Sequence, residues 1–400
     1  MRYKIKHPTK AIECEIDLPA SKSLSNRLLI IQALSEDVFK INNLSKSDDT
    51  KILSKSLKSI DTKILSKSLK STKIDVGAAG STFRFLTSYL SILEGKEFIL
   101  TGSDRLKKRP IKQLVNSLRS LGADIQYLEE EGYAPLKIIG KSLIGGVLDV
   151  SADISSQFIS SLLLIAPTLK QGLTLNIVNE LVSKPYIDMT LLLMKEFGVD
   201  SIVDEWQIYV PHQRYIGKDY LVESDWSAAS FWFEICSLSK TSKIRLNGLY
   251  SDSLQGDLEV INLFSSLSVN AKFEDDSLLI SKDNPIGELS VYNVLNTPDL
   301  YLPLRCTLFG HGFEDHLITG LKTLQYKESN RVLSLNMEID KFRSGNQTFN
   351  INTHQDHRVA MSIAPLSLIY DEILINDSEV VSKSYPNYWK DLVKAGFIIS

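Results

Sequence analysis

The sequence predicts an α/β protein built as two domains of similar design, and three observations lead there. At 400 residues the chain is longer than one ordinary hydrophobic core can enclose. A pattern of helix, glycine, strand, acidic turn and strand recurs along it. Short clusters of cations and hydroxyls stand immediately before one amphipathic segment after another. Units that pair a helix with a hairpin bury both faces only by stacking helices on one side and sheets on the other.

The first cluster is Leu18-Pro19-Ala20-Ser21-Lys22-Ser23-Leu24-Ser25-Asn26-Arg27. It ends an extended segment and opens a helix with apolar positions Leu24, Leu28, Ile31 and Leu34. Lys22 and Arg27 on a first turn, where free N–H groups and the macrodipole favour negative charge, suit a phosphate or carboxylate. Next, Asp49–Ser59 is copied residue for residue at Asp61–Ser71. On a continuous helix that 12-residue offset turns the second apolar face about 120° from the first. The expectation is a break near Ser59-Ile60-Asp61, with Asp61 capping a second short helix and one copy peripheral. Asp75-Val76-Gly77-Ala78-Ala79-Gly80-Ser81-Thr82-Phe83-Arg84 then joins a strand to a helix. Its glycines permit close backbone approach to a ligand, and Ser81 and Thr82 are candidate caps. The spacing matches neither common nucleotide-binding loop.

Leu106-Lys107-Lys108-Arg109-Pro110 precedes a helix with Ile111, Leu114, Leu118 and Leu121, followed by strands at Ala123–Leu128 and Leu136–Ile139. Ser155-Ser156-Gln157 opens a helix through Leu164. Ser183-Lys184-Pro185-Tyr186 opens another to Phe197, with strands at Val199–Val203 and Gln207–Val210. Asp225 to Ser227 caps a helix through Leu238, and the pattern returns at Leu258–Leu267, Val269–Phe273 and Leu278–Ile280. Acid groups join the cations in this half. Asn296-Thr297-Pro298-Asp299 puts a carboxylate at a helix start, and Lys327-Glu328-Ser329-Asn330-Arg331 packs three charges into five residues. On a helix Lys327 and Arg331 share a face, with Glu328 about 100° round. His354-Gln355-Asp356-His357-Arg358 precedes a helix; one histidine pair without further ligands predicts no metal. Lys383-Ser384-Tyr385-Pro386 leads into a truncated unit, Tyr388–Ile399.

Bulk composition narrows the function. Lys and Arg total 45 against 48 Asp and Glu, a formal charge of -3, which excludes a general nucleic-acid binder. Cys14, Cys236 and Cys306 are sparse and show no ligand spacing, which points to reduced thiols and the cytoplasm. No segment is long and apolar enough to predict a membrane span. No cofactor is predicted.

Taken together, the segments Ser21-Lys22-Ser23…Arg27, Gly77-Ala78-Ala79-Gly80, Lys108-Arg109-Pro110-Ile111, Ser155-Ser156-Gln157-Phe158, Ser183-Lys184-Pro185-Tyr186-Ile187-Asp188, Pro298-Asp299, Lys327-Glu328…Arg331, Asp356-His357-Arg358 and Lys383-Ser384-Tyr385-Pro386 resemble, in order, those of the 5-enolpyruvylshikimate-3-phosphate synthase family of enolpyruvyl transferases. The resemblance implies an enolpyruvyl transferase-like fold, each domain holding three helix-and-sheet units around a pseudo-threefold axis. It implies a domain of residues 1–20 with 223–400, a domain of 21–222 inserted into it, and closure over substrate by a hinge. The implied partners are small molecules, phosphoenolpyruvate and shikimate 3-phosphate, on a chain that works as a monomer. The reaction moves the enolpyruvyl group to the 5-hydroxyl and releases phosphate.

By the same resemblance Lys22, Gly80, Arg109, Gln157, Arg331, Arg358 and Lys383 hold phosphoenolpyruvate. Lys22, Ser23, Arg27, Ser155, Ser156, Gln157, Ser183, Asp299 and Lys327 hold shikimate 3-phosphate. Asp299 is the implied base for the 5-hydroxyl and Glu328 the donor to carbon, with Lys22 assisting. These groups are expected to converge on one pocket. The loop departs from the family pattern at Ala78 and Ser81, where Asn and Thr are common. The sister transferase acting on UDP-N-acetylglucosamine is the nearest alternative, but it carries a reactive cysteine where Thr101–Lys108 has none. A non-catalytic anion binder or an RNA-end cyclase built from similar units is disfavoured by the pairing of Asp299 with Glu328 among so many cations.

Overall fold

Residues buried on every side belong to inner helices, and residues that alternate between buried and exposed belong to sheets with one wet face. The chain sorts this way throughout. The structure is a computed structural model that describes residues 1–65, 72–151, 155–179, 181–283, 285–343 and 348–400. It divides into two units, residues 22–222 and residues 1–21 with 223–400.

In the unit of residues 22–222 the helices are α1 (Lys22–Leu34), α2 (Asp48–Leu65), α3 (Gly80–Ser91), α4 (Asp104–Lys107), α5 (Lys112–Ser120), α6 (Ser156–Ile165) and α7 (Lys184–Glu196). Helix α6 packs on α3 and α7, and α1 touches all three. Serines and threonines inside this bundle bond to carbonyls or to one another, as Ser161 does to the Arg84 carbonyl at 2.7 Å. One sheet holds Thr72–Asp75, Glu97–Thr101, Leu136–Ile139 and Asp124–Tyr127 in that spatial order; another holds Gly146–Val150, Leu173–Ile177, Gln207–Val210 and Ile202–Val203. Each begins with a parallel pair and continues as two antiparallel pairings. A third, reduced sheet is a lone parallel pair, Ile41–Asn42 with Tyr220–Leu221.

The other unit repeats this grammar. Its helices are α8 (Trp226–Leu238), α9 (Val260–Ser265), α10 (Tyr301–Gly310), α11 (Arg331–Arg343), α12 (His357–Ile363) and α13 (Tyr388–Lys394). Strands Ala11–Asp17, Thr241–Asn247, Ser277–Ser281 and Asn270–Glu274 form one sheet, and Phe349–Ile351, Ile373–Asn376, Arg2–Lys6 and Ile398–Ile399 another. Both again pair parallel once, then antiparallel twice. The reduced sheet is the parallel pair Tyr292–Asn293 with Ile318–Thr319. Among the described residues each unit holds three sheets around buried helices, the predicted repeat, with one copy in each unit cut down to its parallel pair. The helices face inward.

Two local expectations fail. Helix α2 runs unbroken through Ser59-Ile60-Asp61. Leu53, Leu57 and Ile60 lie at i, i+4 and i+7 and are all buried, so the apolar stripe of the first copy reaches the copy boundary on one face. Asp61 is exposed within the helix and caps nothing. The side chains of Leu65 and Leu69 lie outside the described residues. Helix α3 begins at Gly80 with Ala79 in the cap position and no side-chain cap; Thr82 instead donates to the Asp49 carbonyl at 3.0 Å.

One core feature gives a stability prediction. Glu234, on α8, is fully buried, and among the described residues neither carboxylate oxygen has a hydrogen-bond partner. Burial pushes its pKa well above 4.5. The native state then keeps a proton that the unfolded chain releases, so stability falls as pH rises above the unfolded value, by about 1.4 kcal/mol per pH unit until the native pKa is reached. Glu234→Leu is expected to melt higher than the parent, with a gap that widens between pH 5 and 7 in thermal unfolding. Equal gaps at both pH values would show that the carboxyl does not titrate this way.

Candidate functional site

In the unit of residues 22–222 the predicted residues stand at or just before helix starts. Lys22 opens α1, and its Nζ lies 3.9 Å from Asp49 Oδ2 with both side chains largely buried. Asp49 also accepts Thr82 at its carbonyl, so one residue of α2 joins Lys22 to the start of α3. Gly80 needs no positive φ; it needs to be small. A Cβ there would sit 2.4 Å from Arg109 Nη1 and 3.1 Å from Arg84 Nη1, so two guanidinium groups rest against a bare Cα. Arg84 Nη1 donates to Gln157 Oε1 at 2.6 Å, and its guanidinium lies 5.3 Å from the Phe158 ring centroid. Gly80, Arg84, Arg109 and Gln157 therefore form one cluster, with Ser155 at the cap position of α6 and Ser156 in its first turn.

Arg27 is differently placed. It is buried, and its Nε, Nη1 and Nη2 donate to Thr190 Oγ1 (2.7 Å), the Ser23 carbonyl (2.9 Å), Ser160 Oγ (3.1 Å) and the Tyr186 carbonyl (3.0 Å). Burial pulls its pKa down to about 10. These bonds tie α1 to α6 and α7. Ser183 precedes α7 in the left-handed region (φ 56°) and is buried, with its carbonyl accepting the Tyr186 N–H at 3.1 Å.

In the other unit the acids and cations interlock. Asp299 precedes α10, and its Oδ1 accepts Arg331 Nη1 at 2.8 Å while its Oδ2 accepts Arg358 Nη2 at 2.9 Å. Lys327 Nζ is 3.7 Å from Oδ1. Arg331 Nη2 donates to Glu328 Oε2 (2.9 Å) and Nε to Asp356 Oδ2 (3.0 Å), so one guanidinium meets three carboxylates. Lys383 Nζ donates to Glu328 Oε1 at 3.0 Å. Asp356 caps α12 by accepting the Arg358 N–H at 3.0 Å. Burial alone would raise the Asp299 pKa, but Arg358, Lys327 and Arg331 hold it well below the ordinary carboxylate value. Burial pulls Lys327 below its usual value against the attraction of Asp299. Lys327 and Arg331 do not share a helical face as expected. Lys327 is extended and α11 starts only at Arg331, a turn in which Arg331 meets Asp299, Glu328 and Asp356.

Three residues with no role in the sequence reading belong to these networks. Asp356 is fully buried under Arg331, and its position two residues before Arg358 at a helix start was the available signal. Arg84 lies four residues after Gly80, hence on the same side of α3. Asp49 carried no local signal, since its contacts come from two other helices. Among the described residues no group of acids, histidines and cysteines is arranged to hold a metal ion, and no helix is long and apolar enough to cross a membrane.

Four cations braced against three carboxylates in one unit, and guanidinium groups packed on a bare glycine in the other, define a two-unit α/β protein whose clustered cations suit small anionic ligands. Comparison with known proteins specifies the class. Residues 6–392 match the family described as EPSP synthase (3-phosphoshikimate 1-carboxyvinyltransferase). A 3-phosphoshikimate 1-carboxyvinyltransferase of Bacteroides fragilis strain YCH46 is 41% identical, over 99% of this chain and 98% of that one. One from Vibrio campbellii is 32% identical over 96% and 97%. The EPSP synthase structure from Acinetobacter baumannii superposes with a TM-score of 0.76 over 100% of this chain and 99% of its own, at 20% identity, a likeness of fold. The chain belongs to the EPSP synthase family.

Proposed function

We propose that the chain transfers the enolpyruvyl group of phosphoenolpyruvate to the 5-hydroxyl of shikimate 3-phosphate and releases phosphate, as a monomer in the cytoplasm. Family membership supports the reaction, and the single observation that carries its chemistry is Arg331 held by Asp299, Glu328 and Asp356. Two of those carboxylates also face further cations, Asp299 facing Arg358 and Lys327, and Glu328 facing Lys383. In this reading Lys22, Gly80, Arg109, Gln157, Arg331, Arg358 and Lys383 serve phosphoenolpyruvate. Lys22, Ser23, Arg27, Ser155, Ser156, Gln157, Ser183, Asp299 and Lys327 serve shikimate 3-phosphate, Arg27 also tying α1 to α6 and α7.

The 5-oxygen bonds to C2 of phosphoenolpyruvate while Asp299 takes the hydroxyl proton and Glu328 delivers one to the methylene carbon. The product keeps its methylene, so that carbon gives the proton back as the C2–O bond to phosphate breaks. Asp299 is a weak base while three cations hold its pKa down. Anionic substrate groups that draw on the same cations raise its basicity when both substrates are present. Glu328 Oε2 accepts from Arg331 and its Oε1 from Lys383, two bonds that tie it into the same network as Asp299.

Phosphate release from phosphoenolpyruvate, followed with and without shikimate 3-phosphate, tests the reading: release should require both. Release dependent on UDP-N-acetylglucosamine would overturn it. A second expected result concerns Gly80→Ala. The new methyl meets guanidinium ends, which can swing, so folding should persist while the anion-facing position of Arg109 shifts. KM for phosphoenolpyruvate should rise about 3- to 10-fold, the cost of a lost charge-assisted hydrogen bond partly recovered by rearrangement, with Tm within error of the parent.

A further inference from the structure

We infer that Glu338 is a positioning residue for Arg358 and Asp356, acting through His354 and the backbone of the turn between them; this rests on the proposed reaction. Helix α11 meets the 352–358 segment at two points. At its start, Arg331 Nε donates to Asp356 Oδ2 at 3.0 Å. Seven residues on, hence on the same face of the helix, Glu338 Oε2 accepts the Asn352 N–H at 3.0 Å and Glu338 Oε1 pairs with His354 Nε2 at 2.7 Å. Lys341 Nζ, 2.5 Å from Glu338 Oε2, completes the charges on this carboxylate. Glu338 is 1% exposed, so its two oxygens are committed to these partners.

Between the two points lies an improbable turn. His354 (φ 50°) and Gln355 (φ 54°) occupy the left-handed region in succession, and neither is glycine. Each such residue costs free energy and persists only where its surroundings hold it. Here the holding groups are Glu338 on one side and the Asp356 cap on the other, with the Asp356 N–H bonded to the Thr353 carbonyl at 2.8 Å. The turn reverses the chain so that Asp356 reaches Arg331 and Arg358 reaches Asp299. The proposed reaction uses none of Glu338, Asn352 or His354 directly. Their arrangement instead fixes where the Arg358 guanidinium sits, and a displacement of about 1 Å there is enough to cost on the order of 100-fold in turnover efficiency.

Three variants of the full chain separate this role from plain stability. His354→Asn keeps a residue that tolerates the left-handed region but cannot reach Glu338. Glu338→Gln keeps an acceptor for the Asn352 N–H and a partner for the imidazole. Glu338→Leu removes both. Steady-state kinetics, with Tm measured on the same samples, should show kcat/KM for phosphoenolpyruvate about 100-fold down in Glu338→Leu and roughly 10-fold down in His354→Asn. KM for phosphoenolpyruvate should rise more than KM for shikimate 3-phosphate, and Glu338→Gln should stay within about threefold of the parent. If Glu338→Leu fails to fold, His354→Asn carries the test alone. A structural role only would lower Tm and leave both KM values unchanged, and parental kinetics in His354→Asn would overturn the inference. A parent chain with no activity on the two substrates would instead defeat the proposed function, which is a distinct outcome.

Discussion

Arg331→Leu is expected to destabilise the unit of residues 1–21 and 223–400 by about 3–5 kcal/mol, the cost of leaving buried charges without their partner. Arg331 is 2% exposed at its side chain and is the shared donor for Asp299, Glu328 and Asp356. Burial would lower its pKa, but those three carboxylates raise it above the ordinary arginine value. Without it, Asp356 keeps Ser329, the Arg358 N–H and His357 Nδ1 at 3.7 Å among its neighbours, and Glu328 keeps Lys383. A leucine fills the volume but accepts none of this charge. For a unit of about 200 residues each kcal/mol moves Tm by roughly 2–4 °C, so a fall of about 6–20 °C should appear in calorimetry. The pH dependence has a definite sign. The folded-state pKa of Asp299 is depressed, so its share of the stability is fully present above the unfolded value of 3.8 and is lost as pH falls through the folded value. The gap between parent and variant should therefore be largest near neutrality and narrow below about pH 3.8. A fall of less than 1 kcal/mol at pH 7 would mean that the carboxylates are satisfied without Arg331.

How much of this was legible before the structure depends on whether the determinant was local. Helix starts announced themselves: Lys22, Gln157, Asp225 and Asp299 stand where hydroxyls, prolines or carboxylates precede apolar periodicity, and each begins or adjoins a helix. The strands 136–139 and 207–210, in different sheets, were readable because a strand with one buried face alternates with period two. The continuity of α2 is not legible from the leucine repeat, because Ile60 between the two copies extends the buried face of Leu53 and Leu57 to the boundary. The turn from Lys327 to Arg331 was misread for a different reason. Helical propensity is worth a few tenths of a kcal/mol per residue, and three carboxylates converging on one guanidinium outweigh it. Asp49 and Glu338 were invisible, since their partners lie on other helices or across a turn that no local rule predicts. Long-range electrostatic partners set the fine geometry, and sequence periodicity carries no information about them.

Asp299→Asn is expected to reduce kcat by about 10²–10⁴, the usual contribution of a positioned general base. The substitution keeps shape and one acceptor oxygen but cannot take the hydroxyl proton. It also removes the negative charge against which Arg331, Arg358 and Lys327 are braced. Those cations then face an incoming anion with less competition, so KM for phosphoenolpyruvate should stay level or fall while kcat collapses. That split is diagnostic: a residue that only bound substrate would raise KM and spare kcat. Glu328→Gln is the matched variant: it keeps the Asp299 carboxylate and removes the group proposed to deliver a proton to carbon, together with the charge that Arg331 and Lys383 face. If Asp299→Asn retained the parental kcat, the proton from the 5-hydroxyl would have to leave by another route, and Lys327, whose pKa burial lowers, would be the first alternative to examine.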